Sequence, residues 1–168
     1  MNKLFRFVCV TILVFSLLGC DTSHDNNENG IVFYYINNEI EYGRASGVIT
    51  STVVDTNVEP DDYESLLTLY FNGPTNYECV SPFPAGTTME DFSTDGRKAQ
   101  ILLSPHMATI KDAELTVALA CLTRTVIELT GVDTVQIQIL RNTIYGENSV
   151  TLSLNSFDYS DDVMPGNS

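Results

Sequence analysis

The chain has 168 residues, 43% of them apolar, with 22 acidic against 8 basic side chains and a formal net charge of −14. Such a length and apolar content suit a single domain with a buried core, while the acidity excludes a basic surface for nucleic acid and other polyanions. It also argues against a domain lying flat on anionic lipid.

In chain order, the first expectation is a secretion leader over residues 1–19. Lys3 and Arg6 supply a positive start, Phe7 to Leu18 an apolar stretch, and Gly19-Cys20 a small-residue end. The apolar run is shorter than the ~20 residues a membrane-crossing helix needs. Leu17-Leu18-Gly19-Cys20 resembles a bacterial lipobox, which makes Cys20 the lipidation site. Acyl chains there would hold the chain at the extracytoplasmic face of the cell membrane, at about 0.8 kcal/mol per buried methylene. Asp21 resembles a signal for retention at the inner membrane of two-membrane envelopes. Loss of Lys3 and Arg6 with the leader takes the formal charge from −14 to −16.

Residues 20–30 are expected to form a flexible tether, because Asp21 to Gly30 contains no apolar side chain and cannot fold by burial. Its reach is roughly 17 Å as a flexible coil. Asp25 to Gly30 imitates the start of a calcium loop, but the twelfth position, where a bidentate Glu belongs, is Ile36. No metal and no cofactor is assigned. The folded domain is expected over residues 31–157, with a disordered acidic tail over residues 158–168.

Within the domain, Ile31–Ile36 and Val48–Val54 read as strands, the second β-branched at nearly every position. A helix is predicted from Pro60, with Asp61, Asp62 and Glu64 near its positive end and Asn72-Gly73-Pro74 as its stop. A Pro-rich loop follows around Pro82 and Pro84. Thr87–Phe92 and Lys98–Leu103 flank Thr94-Asp95-Gly96 as a hairpin, with Ala99, Ile101 and Leu103 on one face. Asp112 is the predicted N-cap of a long helix ending near Thr130, before Gly131. Val132–Leu140 then alternates, with Val135, Ile137 and Ile139 on one side, and Ser149–Leu154 adds an edge strand.

Chemistry-bearing residues are sparse, and an enzyme is not expected. His24 falls in the tether and His106 in a loop, with no nucleophile motif beside either. Asp61 and Asp62 are accounted for by the helix dipole. Cys79 and Cys121 are either a disulfide or two small buried residues. Val117, Ala118, Leu119, Ala120, Cys121 and Leu122 are apolar all round the long helix. They are therefore either wedged inside the domain or form a partner-contact helix.

Four places resemble the GerM domain of sporulation and germination proteins. They are Tyr34-Tyr35, the helix ending Phe71-Asn72-Gly73-Pro74, the loop Pro82-Phe83-Pro84-Ala85-Gly86-Thr87, and Leu119–Ile139 with Gly131-Val132-Asp133. The resemblance implies an α+β fold: a small mixed or antiparallel sheet with two helices packed on one face, like a ring-building module. It implies a non-catalytic assembly module of the cell envelope, in sporulation or spore germination, whose partner is an envelope protein or a copy of itself. Where some relatives carry two copies of the domain, this chain has one. The alternative is an envelope lipoprotein that binds a peptide or glycan, with Tyr34, Tyr35 and Tyr42 as aromatic surface.

Overall fold

The computed structural model describes residues 30–38 and 47–157. The leader, Cys20, the tether up to residue 29, Tyr42 and the tail lie outside the described residues.

β1 (Gly30–Asn37) pairs antiparallel with β2 (Ile49–Asp55), from Gly30 opposite Asp55 to Ile36 opposite Ile49. Alternation buries Phe33 and Tyr35 on one face of this ribbon. α1 (Tyr63–Phe71) begins three residues after Pro60, because the Asp62 side chain is its N-cap: Asp62 Oδ1 accepts from the Ser65 backbone N–H at 3.1 Å. It stops where predicted, at Asn72, with Gly73 at φ +90°. The two-residue strand β3 (Cys79–Val80) then pairs with the end of β1, giving a three-stranded sheet of order β2-β1-β3.

A second sheet has the order β4-β5-β6-β7. β4 (Met89–Thr94) and β5 (Lys98–Leu103) form the expected hairpin. Its turn is held by Asp95, whose Oδ1 accepts from the N–H groups of Arg97 (2.9 Å) and Lys98 (2.8 Å), with Gly96 at φ +86°. A 3₁₀ turn (Pro105–Thr109) and the long helix α2 (Asp112–Thr130) then cross over to β6 (Thr134–Ile139), which runs parallel to β5. β7 (Val150–Leu152) closes the sheet antiparallel to β6.

Asp112 is not the N-cap of α2. It is the first helical residue, with Lys111 in the cap position and no side-chain cap bond. Its φ of +50° sets it in the left-handed region, a geometry that differs from the extended backbone of a capping aspartate. At the other end Gly131 takes the left-handed C-cap, donating its N–H to the Ile127 carbonyl at 2.8 Å.

The α+β class and the mix of parallel and antiparallel strands agree with the sequence reading. The strands, however, are divided between two sheets. The register of β5 on β6 sets Ala99 against Val135, Ile101 against Ile137 and Leu103 against Ile139, all buried. This makes an aliphatic ledge for α2, which contacts β6 as well as β1 of the other sheet. A helix placed between two sheets needs apolar side chains on more than one side. Ala118, Leu119, Ala120, Cys121 and Leu122 are accordingly all buried.

Candidate interaction surface

The buried face of the β1 sheet is an aromatic cluster. The Tyr70 ring lies 5.3 Å from Phe33, 5.0 Å from Tyr35 and 5.3 Å from Phe83, centre to centre, spacings at which tilted and edge-on rings attract. The hydroxyls do not end blind. Tyr35 Oη donates to the Tyr70 carbonyl at 3.1 Å, and Tyr70 Oη donates to the Tyr34 carbonyl at 2.8 Å. Burial pushes both phenols above their ordinary range, so both keep the proton that makes these bonds. The Tyr34 N–H donates to Thr125 Oγ1 on α2 at 3.0 Å. Side chains thus take both backbone groups of Tyr34, on the flank of β1 that no strand pairs before β3.

The opposite face turns outward. Across the sheet, Val53, Ser51 and Ile49 of β2 stand opposite Val32, Tyr34 and Ile36 of β1, and Ile36 stands opposite Val80 of β3. Val53 is 61% exposed and Val80 43%, the rest exposed or half-buried. These seven residues carry no carboxylate, and Asp55, opposite Gly30, puts one at the far end of the same face. Arg124 stands beside it, its guanidinium carbon 4.4 Å from the centre of the Tyr34 ring.

At its Ile36 end this face runs into an open groove of about 410 Å³ lined by Val48, Pro82, Phe83, Ile110 and Val117, with Glu114 the one charged residue among the described residues that line it. Of Val117 to Leu122, Val117 alone is half-buried and reaches this groove. The apolar character of the other five is accounted for by the core.

The remaining candidates are dispersed. Asp62 serves the helix end, and the hydrogen bonds from Ser65 hold its carboxyl below the ordinary range. Asp61 is exposed. His106 lies on the 3₁₀ turn with its ring against Gly86. Cys79 and Cys121 are free and buried. Burial raises the Cys79 thiol and pushes the Cys121 thiol up to about 12, the reverse of an activated nucleophile. Among the described residues no cluster of His, Cys, Asp or Glu could hold a metal ion, and no helix is long and apolar enough to cross a membrane. Of the tyrosines named for ligand binding, Tyr35 is core, Tyr34 lies under Arg124, and Tyr42 is outside the described residues.

The outward apolar face was not among the sequence candidates. Its signal was present in Val48–Val54, where a half-exposed strand should alternate with polar residues and instead has β-branched side chains on both faces.

These features define an α+β domain of two sheets joined by a shared helix, with an apolar sheet face turned to solvent. The chain belongs to the Germane family, described as sporulation and spore germination, which it matches over residues 32–140. Its fold is similar to the first GerMN domain of the sporulation protein GerM from Bacillus subtilis: TM-score 0.54, 18% identity, covering 74% of this chain and 96% of that one. The tandem GerMN domains of the same protein match with TM-score 0.54 and 19% identity over 74% of this chain, which spans 45% of the tandem protein. A Clostridium perfringens protein described as a lipoprotein matches with TM-score 0.49 and 14% identity, covering 77% of this chain and 91% of that one. No curated protein matches the chain in sequence.

Proposed function

We propose that the protein is a non-catalytic interaction module of the cell envelope, held at the extracytoplasmic face of the membrane by lipid on Cys20, and that it serves sporulation or spore germination. The observation that carries this reading is the outward face of the β1 sheet. Val32, Ile36, Ile49, Val53 and Val80 remain at the surface of a chain whose net charge is −14. Contiguous apolar surface of this kind costs solubility and is characteristic of a contact site. Membership of a sporulation and germination family supports the process. The lipobox-like end of the leader supports the address, and the tether would let the face clear the headgroups. The groove beside the face, with one charged residue among apolar ones, suits an apolar segment better than a glycan, which needs convergent polar groups.

The test is photocrosslinking in the native membrane from a residue introduced at Val53, with mass spectrometry of the captured species and of the protein's own N-terminal peptide. The expected result is one defined envelope protein captured from position 53 and not from exposed Glu128 on α2. The N-terminal peptide should carry a diacylglyceryl mass on Cys20, and Cys20→Ala should release the protein from the membrane. Capture that is the same from both positions would overturn the interaction face, and an unmodified Cys20 thiol would overturn the anchor.

A further inference from the structure

Sheet edges expose unpaired N–H and C=O groups, and proteins blunt them by shortness, charge or bulges. Among the described residues the two sheets have four edges, and three of them are blunted. β3 has two residues and β7 three. β4 carries Glu90 and Asp91 and a break of register between Met89 and Asp91. β2 is different: seven residues, Ile-Thr-Ser-Thr-Val-Val-Asp, in unbroken register with β1, without proline, lysine or bulge. Among the described residues only β1 pairs with it.

The phase of the ladder shows which groups are free. The Asn37 N–H donates to the Val48 carbonyl at 2.9 Å. By antiparallel alternation Thr50, Thr52 and Val54 also turn their backbone groups toward β1, while Ile49, Ser51, Val53 and Asp55 turn theirs outward. Tyr34, opposite Ser51, confirms the phase, because its own N–H and C=O go to Thr125 and Tyr70, away from β2.

From this geometry we propose that the outer edge of β2 pairs antiparallel with β2 of a second copy, with Thr52 on the two-fold axis. The proposal deepens the interaction-module reading above and rests on it. In that register Ile49 meets Asp55 of the second copy and Ser51 meets its Val53, so every outward group of both strands is used in about eight hydrogen bonds. Thr52 meets Thr52, and Thr50 meets Val54, pairings that sheets favour. The strand's single charge, Asp55, faces Ile49 in each half. The two aspartates end roughly 20 Å apart, beyond the ~8 Å screening length at physiological ionic strength, so the acidity of the chain does not oppose this contact locally. The outward faces of both copies then join into one apolar surface. The second copy is the occupant assigned because this one register uses every outward group of both strands, sets Thr and Val side chains opposite one another and keeps the two Asp55 carboxylates apart. A contact made through one seven-residue strand per copy has no broad packed face of the kind a standard stable interface of ~1,200 Å² has, so the dimer is weak and concentration-dependent.

The experiment uses the full chain in detergent, under mild oxidation, with Thr52→Cys and Val53→Cys compared against the unaltered chain, whose Cys79 and Cys121 are buried. Across a pair without mutual hydrogen bonds the two Cα atoms lie ~4.5 Å apart, within disulfide range. Position 53 of one copy meets position 51 of the other. Thr52→Cys should therefore give at least about ten times more covalent dimer than Val53→Cys, since a Cα separation beyond ~7 Å cannot be bridged. Val53→Pro removes an outward N–H and leaves the β1 ladder intact. It should weaken self-association in sedimentation runs by about tenfold or more, roughly the loss of one or two hydrogen bonds, with an unchanged circular dichroism spectrum. Equal cross-linking at the two positions, or association insensitive to Val53→Pro, would overturn the pairing. A chain that stays monomeric while a partner's extended segment protects the Ser51 and Val53 amides from exchange would overturn the second copy as occupant, and leave the envelope-module reading standing. Pairing as expected, with position 53 capturing only a second copy and no other envelope protein, would count against that reading alone.

Discussion

Cys121 stands in the middle of α2 with no exposed surface, and its thiol is pushed up to about 12 from 9.0, chiefly by burial and against a small opposing pull from Arg124. In the unfolded chain the thiol ionises near pH 9, whereas the folded protein keeps its proton for about three pH units more. The unfolded state therefore sheds protons first. The stability contributed by the protonated thiol is complete below pH 9 and is lost as pH rises toward 12, with a slope of up to about 1.4 kcal/mol per pH unit. Cys79, also raised, acts in the same direction from pH 9, and Tyr35 and Tyr70 join above pH 10. Urea midpoints between pH 9 and 10 should therefore fall in the unaltered protein and fall less steeply in Cys121→Ala. Equal slopes would show that the thiol is not held protonated by the core. Sequence left the two cysteines open between a bridge and burial, because no pattern of neighbours encodes which side of a helix meets which strand.

Among the elements, those with a long period or a strong stop signal were legible: both helices, the hairpin around Asp95-Gly96, and the alternating strand β6. β3 was not, since two residues carry no periodicity and Cys79–Val80 is a strand only because β1 lies beside it. The outward face of β1 and β2 was legible only in part, because β-branched side chains on both faces of Val48–Val54 mark two apolar sides but not whether anything covers them. The flank of β1 is the point where tertiary contacts replace a neighbouring strand. Tyr70 Oη donates to the Tyr34 carbonyl while Thr125 Oγ1 accepts from the Tyr34 N–H, so Tyr70→Phe leaves a partly buried carbonyl without its donor. The expected cost is about 1–2 kcal/mol, read as a lower urea midpoint. Thr125→Val should cost a similar amount, and the double variant less than the two together, because both act on one residue. A strictly additive double variant would mean that Tyr34 is not the shared point.

At the scale of the whole molecule, one helix serves two sheets. α2 gives Thr125 to β1 and lays Leu119, Leu122 and Val126 into a core that includes Ala99, Ile101, Val135 and Ile137 of the other sheet. Neither sheet has a second layer of its own large enough to fold against. The three-stranded sheet already turns one face to water and has a third strand of only two residues, so without α2 it would keep little more than the nine-residue α1 against a two-stranded ribbon, which is marginal in water. The two sheets should therefore unfold together. Leu122→Ala, at a side chain with no exposed surface, is expected to cost about 2–5 kcal/mol. It should lower the exchange protection of Phe33 and Tyr35 amides in one sheet and Ile101 and Ile137 amides in the other by the same free energy. Tyrosine fluorescence, to which Tyr34, Tyr35 and Tyr70 around β1 contribute, and far-ultraviolet circular dichroism, which reports every element, should trace one coincident transition before and after the change. If β5 and β6 kept their protection while β1 lost it, the helix would belong to one sheet and merely touch the other, and the molecule would be two folding units rather than one.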